Sequence, residues 1–173
     1  MPTTLPTLNT CEREAFVAAV GPLFERSPWL AEEAFSRRPF RDARHLHAEL
    51  CAGLEAADGE RQLELIRAHP DLAGRLAQNA QNGELTAASA EEQASAGLDR
   101  LSASESAELA ALNERYRQRF GFPFVICARL NDKSAILAAL EHRLENSRES
   151  ERATALEEIE KIAWLRLERL LEA

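Results

Sequence analysis

Three residues of the sequence combine a chemically useful type with an unusual position: Arg166, His69 and Glu92. Arg166 lies near the middle of an apolar stripe in the last predicted helix, where positions are placed at about 100° per residue. The stripe consists of Ala155, Ile159, Ile162, Ala163, Leu167 and Leu170. A guanidinium keeps its proton and is costly to bury without an anion. The periodicity alone favours an internal ion pair, with snorkelling as a second possibility and a ligand anion as a third.

His69 is followed by Pro70, which pushes the residue before it out of the helical region and fixes its backbone. A rigidly placed imidazole is a natural general acid or base near neutral pH. The alternative is a histidine that caps the free carbonyls of the preceding helix. The histidines in strongly charged helical segments are predicted to be solvated: His45, His47 and His142. The chain has no HxxxH or HExxH pattern, so no metal site is predicted.

Glu92 ends the run Ser89-Ala90-Glu91-Glu92, which has the spacing of a helix capping box. Such a box would account for Glu92 without any catalytic role. A carboxylate near a helix N-terminus is also kept ionised, which suits it to orient an imidazolium. Gln93, the next residue, needs no explanation if it lies on the surface.

The stretch Phe124 to Ala128 is apolar and has no helix signals of its own, which predicts a buried extended linker or a short helix. The amides and carbonyls of a buried irregular segment must find partners, and a polar ligand can be one. The three cysteines, Cys11, Cys51 and Cys127, form no CxxC or Cys/His pattern. They are predicted to be buried structural thiols in a reducing compartment.

The chain has 173 residues, 45% of them hydrophobic, and its net charge is −8. This length predicts a single domain over residues 1–173, with residues 1–8 as a flexible or extended lead-in. Alanine far outnumbers the β-branched residues, which predicts an all-α fold. The negative charge argues against nucleic acid and anionic membranes as partners. With no apolar run of spanning length and no signal peptide pattern, the protein is expected in the cytoplasm.

Proline, glycine and capping residues divide the chain into a bundle of about eight to ten short and medium helices. The predicted helix starts are a cap at Asn9/Thr10, Ser27-Pro28, Asp42, Asp58-Gly59, Pro70-Asp71, Ser89 and Ser102, followed by helices over about 132–146 and 150–171. Of these, the helix from Pro70 is expected to end near Ala80 and the one from Ser102 at Gly121.

Several stretches, taken in order, resemble the 2-oxo-4-hydroxy-4-carboxy-5-ureidoimidazoline (OHCU) decarboxylase family. They are Phe24 to Trp29, Ala68 to Gly74, Leu85 to Ser89, Glu92-Gln93 with Ala96 to Leu98, Phe120 to Cys127, and Glu158 to Leu167. Each stretch alone is weak, but the ordered set covers nearly the whole chain and is specific.

The resemblance implies an all-helical homodimer that converts OHCU to (S)-allantoin and carbon dioxide without a metal or organic cofactor. It implies that His69 and Glu92 are catalytic and that Arg166 holds the substrate. The remaining substrate contacts of the family fall on Pro70, Ser89, Gln93 and the backbone of Phe124, Val125, Ile126, Cys127 and Ala128. The ending Leu171-Glu172-Ala173 lacks a peroxisomal Ser-Lys-Leu signal, in keeping with a bacterial, cytoplasmic setting.

Two alternatives remain at the level of sequence. The same fold can act on a related ureide or imidazolinone, because pocket shape decides the substrate. The chain can also be a non-enzymatic helical interaction module, although such a module has no evident use for Arg166 on an apolar face or for His69 before a proline.

Overall fold

The computed structural model describes residues 3–72 and 86–172, which form nine α-helices, three 3-10 turns and no strand. The helices are α1 (Leu5–Thr10), α2 (Arg13–Val20), α3 (Trp29–Phe35), α4 (Ala43–Ala56), α5 (Gly59–Arg67), α6 (Ala87–Ser95), α7 (Ala103–Phe120), α8 (Lys133–Arg143) and α9 (Arg148–Glu172). The 3-10 turns are Gly21–Leu23, Leu98–Arg100 and Ala128–Leu130. The prediction of an all-α fold is confirmed. The helix predicted from Pro70 to about Ala80 falls mostly outside the described residues.

Aspartate caps begin three of the helices where the sequence placed them. Asp42, Asp58 and Asp132 each accept the backbone N–H three residues later, at 2.7, 2.9 and 2.8 Å. Each carboxylate satisfies one of the N–H groups that the first helical turn leaves without a partner. These caps fix the starts of α4, α5 and α8.

The long helix α7 has a complete capping box at its start. Ser102 accepts the Glu105 N–H at 3.1 Å, and the Glu105 carboxylate accepts the Ser102 N–H at 3.0 Å. The helix ends at Gly121, whose φ of +78° lies in the left-handed region that favours glycine. Both ends of α7 confirm the sequence prediction.

The N-terminal prediction was wrong. Leu5–Thr10 forms α1, whose N-cap Thr4 accepts the Thr7 N–H at 3.3 Å, where a flexible or extended lead-in over residues 1–8 was expected. Pro6 lies in the first turn, where a missing N–H costs nothing, and Leu8 is buried. Asn9 and Thr10 therefore end this helix and do not cap the next one.

The predicted cap at Ser27 was also wrong. The helix α3 begins at Trp29 without a side-chain cap, and the Ser27 hydroxyl donates to the Glu25 carbonyl at 3.0 Å. Ser27 thus stabilises the turn before the helix, and the proline after it occupies the N-cap position itself.

The described residues of 1–68 and 160–173 form one compact unit, and those of 69–159 form a second. Helix α9 contributes to both, and the single domain predicted over residues 1–173 remains a prediction. In the first unit α3 packs against α2 and α4. Its buried centre includes Phe16, which contacts the rings of Phe35 and Phe40 at centroid distances of 5.6 and 6.0 Å.

His47 corrects another prediction, because it is half-buried in this first unit. Its Nε2 lies 2.8 Å from the Glu160 carbonyl, and its ring packs edge-on against Trp164. Burial lowers the pKa of His47, so the imidazole is neutral at physiological pH. His142, by contrast, is exposed as predicted.

The second unit has an aromatic centre built from α7 and the chain that follows it. Tyr116 contacts the rings of Phe120, Phe122 and Phe124 at centroid distances of 4.5, 6.1 and 5.4 Å. All four rings are almost completely buried. They hold residues 122–127, which are not helical, against α7.

None of the described helices combines the length and the apolar composition that crossing a bilayer requires.

The capping box of α7 gives a stability prediction. Ser102→Ala removes the acceptor of the Glu105 N–H and should lower the free energy of unfolding by about 1 kcal/mol. Urea unfolding followed by circular dichroism at 222 nm measures this. Ser104→Ala, two residues further into the same turn and exposed, is the matched control and should change the value by less than about 0.5 kcal/mol. Equal effects of the two substitutions would contradict the prediction.

Candidate functional site

His69 lies at a buried junction that is not helical, as the sequence predicted. Helix α5 ends at Arg67, and its last turn is closed by the Ala68 N–H, which donates to the Glu64 and Leu65 carbonyls at 2.9 and 3.2 Å. His69 is only 6% exposed, and Pro70 next to it is half-buried. The Ala68 amide thus satisfies carbonyls in the last turn of α5.

The chain just after His69 is tied to α7 at two points. The Asn113 side-chain amide donates to the Leu72 carbonyl at 2.9 Å, and Arg117 Nε donates to the Asp71 carboxylate at 2.9 and 3.1 Å. Asn113 and Arg117 are four residues apart and so lie on one face of the helix. Neither residue was singled out from the sequence, because nothing in a helical pattern marks a polar residue that reaches a distant loop.

Helix α6 carries Ser89, Glu92 and Gln93, and its start corrects the sequence prediction. Its N-cap is Thr86, which accepts the Ser89 N–H at 3.1 Å and donates its hydroxyl proton to Ser89 Oγ at 3.0 Å. Ser89 is thus the third residue of the helix and does not cap it. Glu92 lies one turn further along and belongs to no capping box, so the structural explanation offered for this carboxylate does not hold.

The two other candidate site residues of α6 are buried. Ser89 is 5% exposed and Gln93 3%, and their spacing of four places them on one face of the helix. Glu92 is half-buried. Gln93 is therefore not the surface glutamine that one interpretation of the sequence allowed.

The segment Phe124 to Ala128 is buried and has no regular secondary structure up to Cys127, whose backbone is extended, and it then enters the 3-10 turn Ala128–Leu130. Side chains supply its backbone partners. Arg143 Nη1 donates to the Val125 carbonyl, and the Cys127 N–H donates to the Glu158 carboxylate, both at 2.8 Å. The stretch is thus first a buried linker without regular structure and then a short helical turn.

Helix α6 packs against the 3-10 turn that ends this segment. The Cys127 thiol, which precedes this turn, has a raised pKa. Burial raises the pKa most, and the nearby carboxylates of Glu158 and Glu92 raise it further. The Cys127 thiol is therefore protonated at neutral pH and is a poor nucleophile. The structure in this way brings Glu92 and the segment together within the second unit.

Arg166 belongs to the first unit, and a protein carboxylate already pairs with it. Arg166 Nη2 donates to Glu25 Oε1 at 2.9 Å, and Nη1 donates to the Pro22 and Leu23 carbonyls, each at 3.4 Å. The side chains of Arg166 and Glu25 are only 8% and 4% exposed. The internal ion pair that periodicity favoured is therefore present, and the substrate-binding role that the resemblance implies for Arg166 stays a prediction.

Glu25 is a buried residue that the sequence analysis missed. It follows the 3-10 turn Gly21–Leu23 and precedes Arg26, whose φ of +48° is unusual for a residue with a side chain. A glutamate in an irregular stretch carries no periodic signal. Its only sequence clue is the need of a buried arginine for a partner.

Among the described residues, no group of three or more histidine, cysteine, aspartate or glutamate side chains is arranged to hold a metal ion. The second unit thus contains His69, Pro70, the polar face of α6 and the 124–128 segment, and the first unit contains Arg166.

Known proteins match the chain over nearly its full length. The family model described as OHCU decarboxylase matches residues 9–168. A 2-oxo-4-hydroxy-4-carboxy-5-ureidoimidazoline decarboxylase from Haloferax volcanii is 46% identical over 95% of this chain and 94% of its own. A crystal structure of OHCU decarboxylase in the presence of (S)-allantoin matches with a TM-score of 0.70 and 27% identity, over 94% of this chain and all of that one. A crystal structure of (S)-allantoin synthase matches with a TM-score of 0.76 and 27% identity over 98% of this chain, which spans 54% of that longer chain.

The buried ion pair gives a second stability prediction. Arg166→Met removes the cation from a buried carboxylate and should lower the free energy of unfolding by about 3–5 kcal/mol. Urea unfolding measures the loss, and the double variant Glu25→Gln, Arg166→Met should recover part of it. The exposed pair of Arg13 and Glu32, 3.9 Å apart, supplies the control, because Arg13→Met should cost less than about 1 kcal/mol. A loss at Arg166 no larger than at Arg13 would sink the assignment of a stabilising buried pair.

Proposed function

Because this chain belongs to the OHCU decarboxylase family, we propose that it converts OHCU to (S)-allantoin and carbon dioxide in the degradation of urate. The observation that carries this proposal is the match to the Haloferax volcanii decarboxylase, which extends over 95% of this chain and 94% of its relative. The relative thus has no additional domain in which its named activity could reside. The placement of His69 at a buried, non-helical junction supports the same reaction.

The reaction needs an electron sink and a controlled proton, and the substrate supplies the sink. When the carbon–carbon bond to the carboxylate breaks, its electron pair forms a double bond to the neighbouring ring carbon. The electrons of the ring imine at that carbon move to the imine nitrogen, which takes up a proton from solvent. The hydroxyl proton leaves, a ring carbonyl forms, and the neighbouring carbon gains a proton on one face. No metal or organic cofactor is required for these steps. The protein has to bind the ureide, promote loss of carbon dioxide and choose the face that is protonated.

His69 is the proposed general acid–base for this sequence. It engages the hydroxyl and carboxylate of the substrate, takes up the hydroxyl proton and delivers a proton to the ring carbon. Its backbone is restrained by Pro70 on one side and, through Leu72, by Asn113. A restrained imidazole fixes the direction of proton delivery, which is what produces a single enantiomer.

Glu92 is the proposed electrostatic partner of His69. A carboxylate stabilises the imidazolium that forms when His69 takes up a proton. Because Thr86 caps α6, the Glu92 carboxylate is not needed for the cap. Glu92 therefore has no capping function that would compete with a catalytic one.

Arg166 is proposed to hold a carbonyl or carboxylate oxygen of the substrate. A guanidinium has five N–H donors in a fixed fork, so binding to Glu25 can orient the group toward a ligand. Lysine, with a rotating point charge, would not keep this geometry. Glu25 thus becomes part of the proposed binding machinery as the anchor of Arg166.

The ureido group and ring are proposed to contact Pro70, Ser89, Gln93 and the backbone of residues 124–128. A ureide has several N–H donors and carbonyl acceptors, and a site that pairs them rejects analogues that lack them. We further propose that the protein works as a cytoplasmic homodimer, as the family resemblance implies. A related ureide or imidazolinone is the alternative substrate, and comparison of turnover with OHCU decides between them.

The central test uses His69→Ala. OHCU decays spontaneously to racemic allantoin, so the wild-type protein should produce a lasting circular dichroism signal of (S)-allantoin and the variant should not. The expected loss of rate is about 10²- to 10⁴-fold, the usual contribution of a general acid–base. His142→Ala, at an exposed histidine of α8, is the matched control and should keep full activity. A folded, stereoselective His69→Ala protein would refute the role of His69, and a wild-type trace equal to spontaneous decay would refute the reaction.

Glu92→Gln tests the charge of Glu92 while keeping its size. If the carboxylate stabilises an imidazolium, kcat should fall by about tenfold or more, because about 1.4 kcal/mol of transition-state stabilisation corresponds to a factor of ten. Helical content and unfolding midpoint should not change, since the Thr86 cap stays intact. Glu91→Gln, at the exposed neighbouring position on α6, is the control. Unaltered kcat in Glu92→Gln would remove Glu92 from the mechanism.

A further inference from the structure

Ile126 lies between two backbone groups that charged side chains hold. The Val125 carbonyl accepts Arg143 Nη1, and the Cys127 N–H donates to the Glu158 carboxylate, both at 2.8 Å. Arg143 is 7% exposed and Glu158 9%, so both interactions are buried. Hydrogen bonds to ionised groups are about twice as strong as neutral ones, and burial protects them from water.

Because each peptide group is planar and trans, these two hydrogen bonds determine the directions of the Ile126 N–H and C=O. The Val125 carbonyl shares a planar peptide group with the Ile126 N–H, and the Ile126 carbonyl shares the next one with the Cys127 N–H. Within each trans group the C=O and N–H point in opposite directions. The Ile126 N–H therefore points away from Arg143, and the Ile126 carbonyl points away from Glu158.

Neither backbone group of Ile126, a mostly buried residue, pairs with another part of the chain that the structure describes. The residue is 8% exposed, and in residues 3–72 and 86–172 neither its N–H nor its C=O takes part in a hydrogen bond. Buried backbone groups in folded proteins are normally paired, so this donor and this acceptor point to a polar ligand. A neighbouring N–H and C=O on one residue complement the amide-type N–H and C=O of a ureide.

The charged side chains also polarise the groups they hold. An arginine on the Val125 carbonyl makes the Ile126 N–H of the same peptide a better donor, and a carboxylate on the Cys127 N–H makes the Ile126 carbonyl a better acceptor. Such cooperative strengthening amounts to roughly 10–30% per bond. The two charged side chains thus orient the Ile126 N–H and C=O and also strengthen their hydrogen bonds to a ligand.

Arg143 is itself immobilised by a buried network. Its Nε donates to Glu151 at 2.7 Å, and its guanidinium lies over the Phe124 ring at 4.3 Å from the centroid. Glu151 is fully buried and also accepts the Tyr116 hydroxyl at 2.6 Å and the Asn146 amide at 3.0 Å. Burial and the Glu151 carboxylate raise the pKa of Tyr116, which therefore stays a hydrogen-bond donor at working pH.

We propose that Glu158 and Arg143 are positioning residues of the decarboxylase: they orient and polarise the two peptide groups around Ile126 so that its N–H and C=O bind the ureide. This inference rests on the proposed function. It gives a role to two residues that act on the substrate only through the backbone of Ile126.

The test uses Glu158→Leu and Glu158→Gln, with Glu157→Leu at the exposed neighbouring position as the matched control. Glu158→Leu removes the acceptor and should raise KM by about 10- to 100-fold, the size of one lost charged hydrogen bond. Glu158→Gln keeps an acceptor without charge and should raise KM by only about three- to tenfold. In both variants kcat should change less than KM, because His69 and Glu92 are untouched. Glu157→Leu should match the wild type.

Binding of (S)-allantoin, measured by calorimetry, provides a readout independent of chemistry. Its Kd should rise by the same factor as KM in each variant, whereas a merely structural role would lower the unfolding midpoint without this graded order. An unchanged KM in folded Glu158→Leu, or in Glu158→Gln if the first variant does not fold, overturns the positioning role. A wild-type protein that does not convert OHCU overturns the proposed function instead, so the two failures are distinguishable.

Discussion

The buried carboxylate of Glu151 is the constraint on which the second unit depends. A fully desolvated carboxylate is stable only if its oxygens are paired, and donors from Tyr116, Arg143 and Asn146 meet that need. Arg143 in turn donates to the backbone at Val125. The hydrogen bonds that stabilise the buried Glu151 carboxylate therefore also help to position the 124–128 segment. A substitution at any residue of this network affects the others.

The first unit also contains a buried carboxylate that is paired with an arginine. Arg166 binds the carboxylate of Glu25 and the carbonyls of Pro22 and Leu23, just as Arg143 binds a carboxylate and a carbonyl. In both cases a planar guanidinium connects a side-chain anion to backbone carbonyls that lie outside the α-helices. These arginines organise loops as much as they balance charge, which explains why the apolar stripe of α9 tolerates one of them.

Local patterns predicted the parts of the fold that local physics decides. The caps at Asp42, Asp58, Asp132 and Ser102 follow from side chains that reach only three residues, and the arc of α9 follows from its period. At α6 the local rules competed: the Ser89 to Glu92 spacing matched a capping box, but Thr86 supplied the cap three residues earlier. A rule that scores each candidate start alone cannot decide which one the chain uses.

The sequence marked candidate site residues but not the residues that hold them in place. His69 was marked by Pro70, and Arg166 by its place on an apolar face. Glu25, Glu158, Asn113 and Arg143 form hydrogen bonds with residues 18 to 141 positions away, and no periodicity records such distances. The pattern of a sequence shows that a buried charge needs a partner, but only the tertiary fold decides which residue that partner is.

Burial of the thiols has a consequence for oxidative chemistry. Burial and nearby acidic residues raise the pKa of Cys51 to about 12 and also raise that of Cys127. Peroxides and disulfides react with the thiolate form, which is nearly absent for such groups at neutral pH. These two cysteines therefore resist sulfenic acid formation and mixed disulfides. The 124–128 segment, which carries Cys127, thus stays chemically unmodified when the redox state of its surroundings changes.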